Sequence, residues 1–312
     1  MPSVPPVRHR SLRRGGPPSA PPPGTLVPPV SERFRNADPY RAEREWVRYE
    51  GTPQRELWRE LRERFLARHS AGTPWVLDLG SGPGRFTRHL GAPPARRVAL
   101  DVSREMLRSA RVHWGLATAG APRPDLVRAD GLAPPFPPAA FGEVAVLGNT
   151  LGFAGASAAR LRDAAASLVA PGGTVLLEVA PGPGERSRYL ARLPLSSVAR
   201  LLRAPTRALV PRVEREGFDT MPFRRPEDGE FQRIPAADLV RTFETRGWEV
   251  TEVMAVAPAL GALAPRIERV RGDAKAWDHL LLVEEELGRR PNRWVHAAAV
   301  LVAARAPVDK QD

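Results

Sequence analysis

The sequence predicts an α/β protein, a doubly wound sheet with helices on both faces, and three observations carry that prediction. Val76, Leu77 and Leu79 form a short apolar run that breaks into Gly80-Ser81-Gly82-Pro83-Gly84, as a buried parallel strand does where the chain turns sharply towards a helix. A second apolar run ends at Asp101, and Ser103 then caps a helix with Met106, Leu107, Ala110 and Trp114 on its inner face. Beyond it, short apolar runs keep alternating with amphipathic segments as far as TVLLEVA and WEVTEVMAVA, the pattern of βαβ units.

Residues 1–30 hold ten prolines and four arginines, no acidic residue and no apolar periodicity, so residues 1–37 are expected to be a disordered tail. They lack the apolar core of a secretory signal. No stretch reaches the roughly 18 apolar residues of a membrane span, and Val144 to Ala159, although free of charge, is interrupted by glycines and Asn149. A cytoplasmic protein is expected. With 312 residues and 42% hydrophobic content the chain can bury a full core, assigned to residues 38–307, with 308–312 as a short C-terminal tail.

The formal charge is +12, a balance that raises nucleic acid as a partner. Against that, only Lys275 and Lys310 are lysines, and the excess of Arg, Ala, Pro and Gly is the mark of biased nucleotide composition. Much of the charge also sits in the tail, where Arg8, Arg10, Arg13, Arg14, Arg33 and Arg35 face Glu32 alone. There is no cysteine, which excludes disulfides, cysteine-ligated zinc and iron-sulfur clusters, and any covalent cysteine adduct. No metal site is expected.

In chain order, Thr52 caps a helix with Pro53 in its first turn and Leu57, Leu61 and Phe65 on one face. Before it, Tyr40, Trp46 and Tyr49 either pack that segment on the core or reach the ligand cleft. The glycine turn follows the first strand, and a helix is expected after it with Phe86 and Leu90 inside. Glycines suit a place where a ligand lies against backbone at a strand's carboxyl end. A dinucleotide Gly-x-Gly-x-x-Gly would need glycine at 85 or 87; the chain has Arg85 and Thr87. The actual pattern, from Asp78 to Gly84, is Asp-x-Gly-x-Gly-x-Gly. An acidic residue about twenty positions on, Asp101, suits a ribose diol because a carboxylate can accept from both hydroxyls.

These segments, with DLVRADGLAPPFPPAAFGEVAVLGN after them, resemble in order the motifs of class I S-adenosylmethionine-dependent methyltransferases, including a third strand ending in Ala-Asp and a Leu-x-Pro-Phe turn. The resemblance covers Trp75 to Ala180 well and Pro235 to Arg305 loosely. It implies a seven-stranded, mostly parallel Rossmann-like sheet with the last strand antiparallel, and an acceptor-binding insertion after strand five at about 182–234. It also implies S-adenosyl-L-methionine as cofactor, held by Asp78, Gly80, Ser81, Gly82, Gly84, Asp101, Val102, Met106, Asp130, Gly131 and Asn149, with Asp130 accepting from the adenine amino group.

Candidates for chemistry are weaker. Asn149, in Gly148-Asn149-Thr150, either contacts cofactor or acceptor or closes the strand end with a hydrogen bond. The Asn/Asp-Pro-Pro-aromatic motif of base-amine methyltransferases is absent there. Glu178 is either a catalytic base or a structural carboxylate. His113, His279 and His296 lie in helix or strand patterns that suit packing or surface roles. Ser157 to Val169 reads as a helix, Pro171-Gly172-Gly173 as a turn into strand five, and the insertion as a helix at 185–203 and a hairpin at 205–234, with Arg224, Arg225 and Arg233 as candidate anion contacts. PAADLVRTFETRG is a helix ending at Gly247, a helix surrounds Trp277 to Leu287, and WVHAAAVLVAAR is the last strand.

The Leu-x-Pro-Phe turn most resembles the methyltransferases of quinones, sterols and other small metabolites, so a small-molecule acceptor is expected. The alternatives are an RNA methyltransferase aided by the basic tail, and a non-catalytic cofactor-binding module or one with a nicotinamide ligand. The sequence leaves the acceptor and the oligomeric state open.

Overall fold

The computed structural model describes residues 39–70, 72–117, 123–180, 233–257, 267–297 and 299–308. All of the proline-rich tail, and all of the insertion but residues 233 and 234, including Arg224 and Arg225, lie outside the described residues.

The chain enters through α1 (Pro39–Trp46), a 3-10 turn at Val47–Tyr49 and α2 (Pro53–His69). Thr52 caps α2 as its sequence predicts, its hydroxyl accepting from the Arg55 amide at 3.3 Å. Then follow β1 (Trp75–Leu79), β2 (Arg96–Asp101), α3 (Arg104–Ala117), β3 (Asp125–Arg128), β4 (Phe141–Val146), α4 (Thr150–Phe153), α5 (Ala158–Ser167) and β5 (Val169–Val179). The remaining elements are α6 (Ala236–Glu244), β6 (Glu249–Val256), α7 (Ile267–Arg271), α8 (Ala274–Gly288) and β7 (Ala299–Arg305).

Seven strands form one sheet in the order β3-β2-β1-β4-β5-β7-β6. The pairings from β3 through β5 are parallel, and β7 runs antiparallel between β5 and β6. The strand order reverses at β1, between β2 and β4, so the crevice for ligand opens at the carboxyl ends of those strands. Strand residues alternate between two apolar layers. Val76, Ala145 and Leu176 pack with Leu57, Phe65, Trp277 and Leu280 of α2 and α8, while Leu77, Val144 and Leu177 pack with Leu161 and Phe243 of α5 and α6.

The helix expected after the glycine turn is absent. A single 3-10 turn, Thr87–His89, stands in its place, although Phe86 and Leu90 are buried as predicted. The reason lies at Gly91, which has φ +64° and packs so tightly on β1 that a Cβ would come within 2.6 Å of Val76 Cγ2. With Pro93 and Pro94 next, the chain has no room for a second helical turn before β2. Three boundaries also move. The first is β3, which stops at Arg128, two residues before Asp130; β5 begins at Val169 and runs through Gly172-Gly173 with a register shift against β4; and β7 begins at Ala299 because Pro291–His296 forms a 3-10 turn.

Candidate functional site

The cleft lies over the carboxyl ends of β1, β2 and β4, with Asp78, Gly80, Ser81, Gly82, Asp101, Val102, Met106, Asp130 and Gly131 on its walls. Local sequence explains most of its floor. Gly80 donates to the Leu100 carbonyl at 2.7 Å, so the turn leaves β1 anchored to β2. Gly80 sits at φ +77° and a Cβ there would be 2.3 Å from Thr150 Cγ2, whereas at Gly82, φ +54°, a Cβ would meet no atom within 4 Å. Gly80 is therefore required by packing. At Gly82 the chain presents bare backbone to the cleft, the surface a ligand lying on the turn needs.

Asp101 ties the turn to α3, one oxygen accepting from the Gly82 amide and the other from the Ser103 amide, both at 2.8 Å. Burial pushes its pKa up, and the amide bonds from Ser103, Gly82 and Val102 pull it back only in part. Of the roughly four acceptor sites of a carboxylate, the three amides leave one for a ribose hydroxyl. Asp78 is more deeply set. It accepts from Thr87 Oγ1 at 2.6 Å, but burial drives its pKa up to about 7, with the Asp101 charge adding to the shift. Asp130 Oδ1 accepts from the Leu132 amide at 3.0 Å, shaping the turn after β3 while the residue lines the cleft.

Three sequence candidates are placed elsewhere. Gly84 is not on the cleft: a Cβ there would meet Trp114 and Ala110 of α3, so its glycine serves helix packing. Asn149, at φ +63°, is not a lining residue, and its Oδ1 accepts from the Ala180 amide at 3.0 Å, closing the end of β5. Glu178 is clamped by Arg62, with Nη2 to Oε1 at 2.7 Å and Nε to Oε2 at 3.1 Å, and Oε2 also accepts from the Gly148 amide at 3.1 Å. Burial alone would raise its pKa, but the Arg62 charge and hydrogen bonds bring it below the ordinary carboxylate range. Its charge is held and both oxygens are engaged, the environment of a structural carboxylate.

Sequence reasoning left open the segment before α2, which forms one wall of the cleft through Glu45, Arg48 and Tyr49. Trp46 packs away from the cleft, stacked on His113 with centroids 3.9 Å apart and planes 5° from parallel. His113 Nε2 lies 2.9 Å from Glu43, and Arg85 donates to the Trp46 carbonyl and, at 2.9 Å, to Glu50. Tyr49 meets Phe86 edge-on at 5.3 Å. Of the three aromatics, Tyr49 reaches the cleft and Trp46 packs; the side chain of Tyr40 lies outside the described residues. The walls beyond β4, Leu147, Thr150, Phe153 and Ala154, come from the strand-to-helix turn that follows it.

Residues 76–173, which run from β1 into the start of β5 and supply most of this cleft, match the family model of a methyltransferase domain. A methyltransferase domain of that family uses S-adenosylmethionine as its cofactor. A ribosomal RNA small subunit methyltransferase A from Nitratidesulfovibrio vulgaris is 35% identical over 80 residues, 25% of this chain and 29% of that protein. Its counterpart from Synechococcus is 38% identical over 68 residues, 22% of this chain and 23% of that protein. The chain thus spans less than a third of either curated relative. Among solved structures, magnesium protoporphyrin IX methyltransferase from Synechocystis superposes with a TM-score of 0.49 at 13% identity, over 89% of this chain and 97% of the other. No cluster of three or more His, Cys, Asp or Glu side chains that could hold a metal ion occurs among the described residues.

Proposed function

We propose that the protein is a methyltransferase that passes the methyl group of S-adenosylmethionine by direct displacement to a small-molecule acceptor in the cytoplasm. The observation that supports a small acceptor is the lining of the cleft: Glu45, Arg48 and Tyr49 of the turn before α2 and Leu147 and Phe153 after β4 line the same pocket as the glycine turn, the concave, largely apolar setting that suits a small molecule. The cofactor, when bound, supplies an activated sulfonium methyl. Asp101 and Asp130 hold the ribose and adenine, Gly80 to Gly82 give the close backbone approach, and Phe153, Ala154 and Leu147 orient an apolar acceptor and keep water away. Holding two reactants in line contributes about 7 to 11 kcal/mol, enough for positioning to dominate. No histidine lines the cleft among the described residues, and Glu178 is engaged by Arg62, so the reading assigns no general base.

A second reading, an RNA acceptor, is favoured by the +12 charge and by the ribosomal RNA methyltransferases matched over a quarter of the chain. Methyl transfer from labelled S-adenosylmethionine to a metabolite panel and to total RNA separates the two, with the full chain and with a chain lacking residues 1–35. A small-molecule enzyme retains its transfer without the tail. An RNA enzyme using the tail shows a steep salt dependence, about 0.7 in slope per single-strand phosphate contact, and loses it on truncation; RNA transfer of that kind with no metabolite accepted overturns the first reading.

A further inference from the structure

The sheet order gives the cleft a direction. Asp130 follows β3, Asp101 ends β2, the glycine turn leaves β1 and Gly148 follows β4. An adenosine held at Asp130 and Asp101 therefore sends its 5′ substituent across β1 towards β4, over about two strand spacings or ~10 Å. The wall at that end is not part of the sheet. It is the turn before α2, where Arg48 Nη1 donates to Glu45 Oε2 at 3.0 Å with both side chains still partly open, 24% and 21% exposed.

Beside this pair the Tyr49 ring is buried, with the Arg62 and Arg85 guanidinium carbons 4.9 and 5.7 Å from its centroid. Burial raises its pKa and the Arg62 charge only partly offsets that, so it is a neutral phenol. It lines the cleft together with Glu45 and Arg48.

We propose that Glu45, Arg48 and Tyr49 form the subsite for the amino-acid end of the cofactor, Arg48 taking the carboxylate, Glu45 the ammonium and the Tyr49 hydroxyl a further hydrogen bond. An α-amino-acid zwitterion carries opposite charges on neighbouring groups, as the Arg48–Glu45 pair does, so the pair can open and exchange one ion pair for two charge-assisted bonds. Asp78, the other carboxylate near this end, sits at the floor and is engaged by Thr87. The inference rests on the cofactor being S-adenosylmethionine and adds which residues select its amino-acid end, residues outside the matched segment 76–173.

Calorimetric titration of the full chain with S-adenosylhomocysteine and with 5′-methylthioadenosine tests it, because the second ligand keeps the adenosine and thioether but lacks the amino-acid end. Arg48→Met, Glu45→Gln and Tyr49→Phe should each weaken S-adenosylhomocysteine, Arg48→Met by about tenfold or more, and leave 5′-methylthioadenosine within about twofold of wild type. Decarboxylated S-adenosylmethionine, which keeps the ammonium alone, should not be weakened by Arg48→Met. Variants that bind S-adenosylhomocysteine as wild type does, or that lose both ligands equally, overturn the subsite, the second result marking a purely structural role. A wild-type chain that binds neither ligand overturns the cofactor reading itself.

Discussion

Arg62 of α2 and Glu178 of β5, 116 residues apart in sequence, form a bidentate pair that is almost wholly buried. The pair joins the helix behind the cleft wall to the sheet, and Glu178 passes the restraint on to the Gly148 amide. Removing one partner strands the other charge in the interior, which costs about 3 to 5 kcal/mol. Arg62→Met should lower the urea midpoint accordingly without changing the slope. Glu178→Gln should also be destabilised, and its loss of activity should follow its loss of fold; a stable Glu178→Gln protein that binds cofactor normally but turns over a hundredfold more slowly makes Glu178 a base after all.

Asp78 has a folded pKa of about 7 against 3.8 for an ordinary aspartate. Between those values the folded state holds a proton that the unfolded state has released, so stability is greatest below about pH 4 and declines as pH rises to about 7. The decline attributable to this group is on the order of 4 kcal/mol. Urea midpoints of wild type and Asp78→Asn, compared from pH 4 to pH 8, should diverge in favour of the variant as pH rises. Parallel curves remove the assignment.

Asp101→Ala should weaken S-adenosylhomocysteine binding about 10- to 150-fold, the loss of one hydrogen bond to a charged group. The same change frees the Gly82 and Ser103 amides, so a modest fall in melting temperature should accompany it. Unchanged affinity by calorimetry takes Asp101 out of the ribose site.

Gly80 and Gly82 separate packing from binding. Gly80→Ala drives a methyl into Thr150 and should lower stability, partly restored by Thr150→Ser, which removes the clashing Cγ2 and keeps the hydroxyl bonded to the Leu147 carbonyl at 2.6 Å. The Cβ of Gly82→Val meets no protein atom within 4 Å, so beyond the left-handed backbone cost of about 1 to 2 kcal/mol the variant should keep the fold and lose cofactor binding. Thermal unfolding with parallel calorimetry reads both; tight cofactor binding by Gly82→Val means that no ligand crosses the turn.

What the sequence revealed was what local chemistry decides. Asp101, Ser103 and Met106 lie within six residues on a strand end and a helix start, where period and capping leave little choice. The Arg62–Glu178 pair was not legible, because an arginine on a helix in an arginine-rich chain gives no sign of its distant partner. The glycines looked alike in sequence, yet Gly84 answers to α3 and Gly82 to the cleft. Tyr49 was one of three aromatics, and only the docking of Trp46 on His113 decided which of them turns inward. The missing helix after the glycine turn followed from Gly91 packing on β1, a contact invisible to periodicity.

The position of β7 bears on how the protein is made. It is the last described strand in the chain, yet among the described strands it is the one neighbour of β6 and one of the two neighbours of β5. During synthesis, β1 to β5 can pair as they leave the ribosome, while β6 emerges with no strand to join. Until Ala299–Arg305 arrives and inserts, β5 and β6 both present open edges, the kind that pair with other chains. A ribosome stalled before Ala299 would therefore release a sticky product from an otherwise well-folded half, and the nascent chain has most need of a chaperone in that interval.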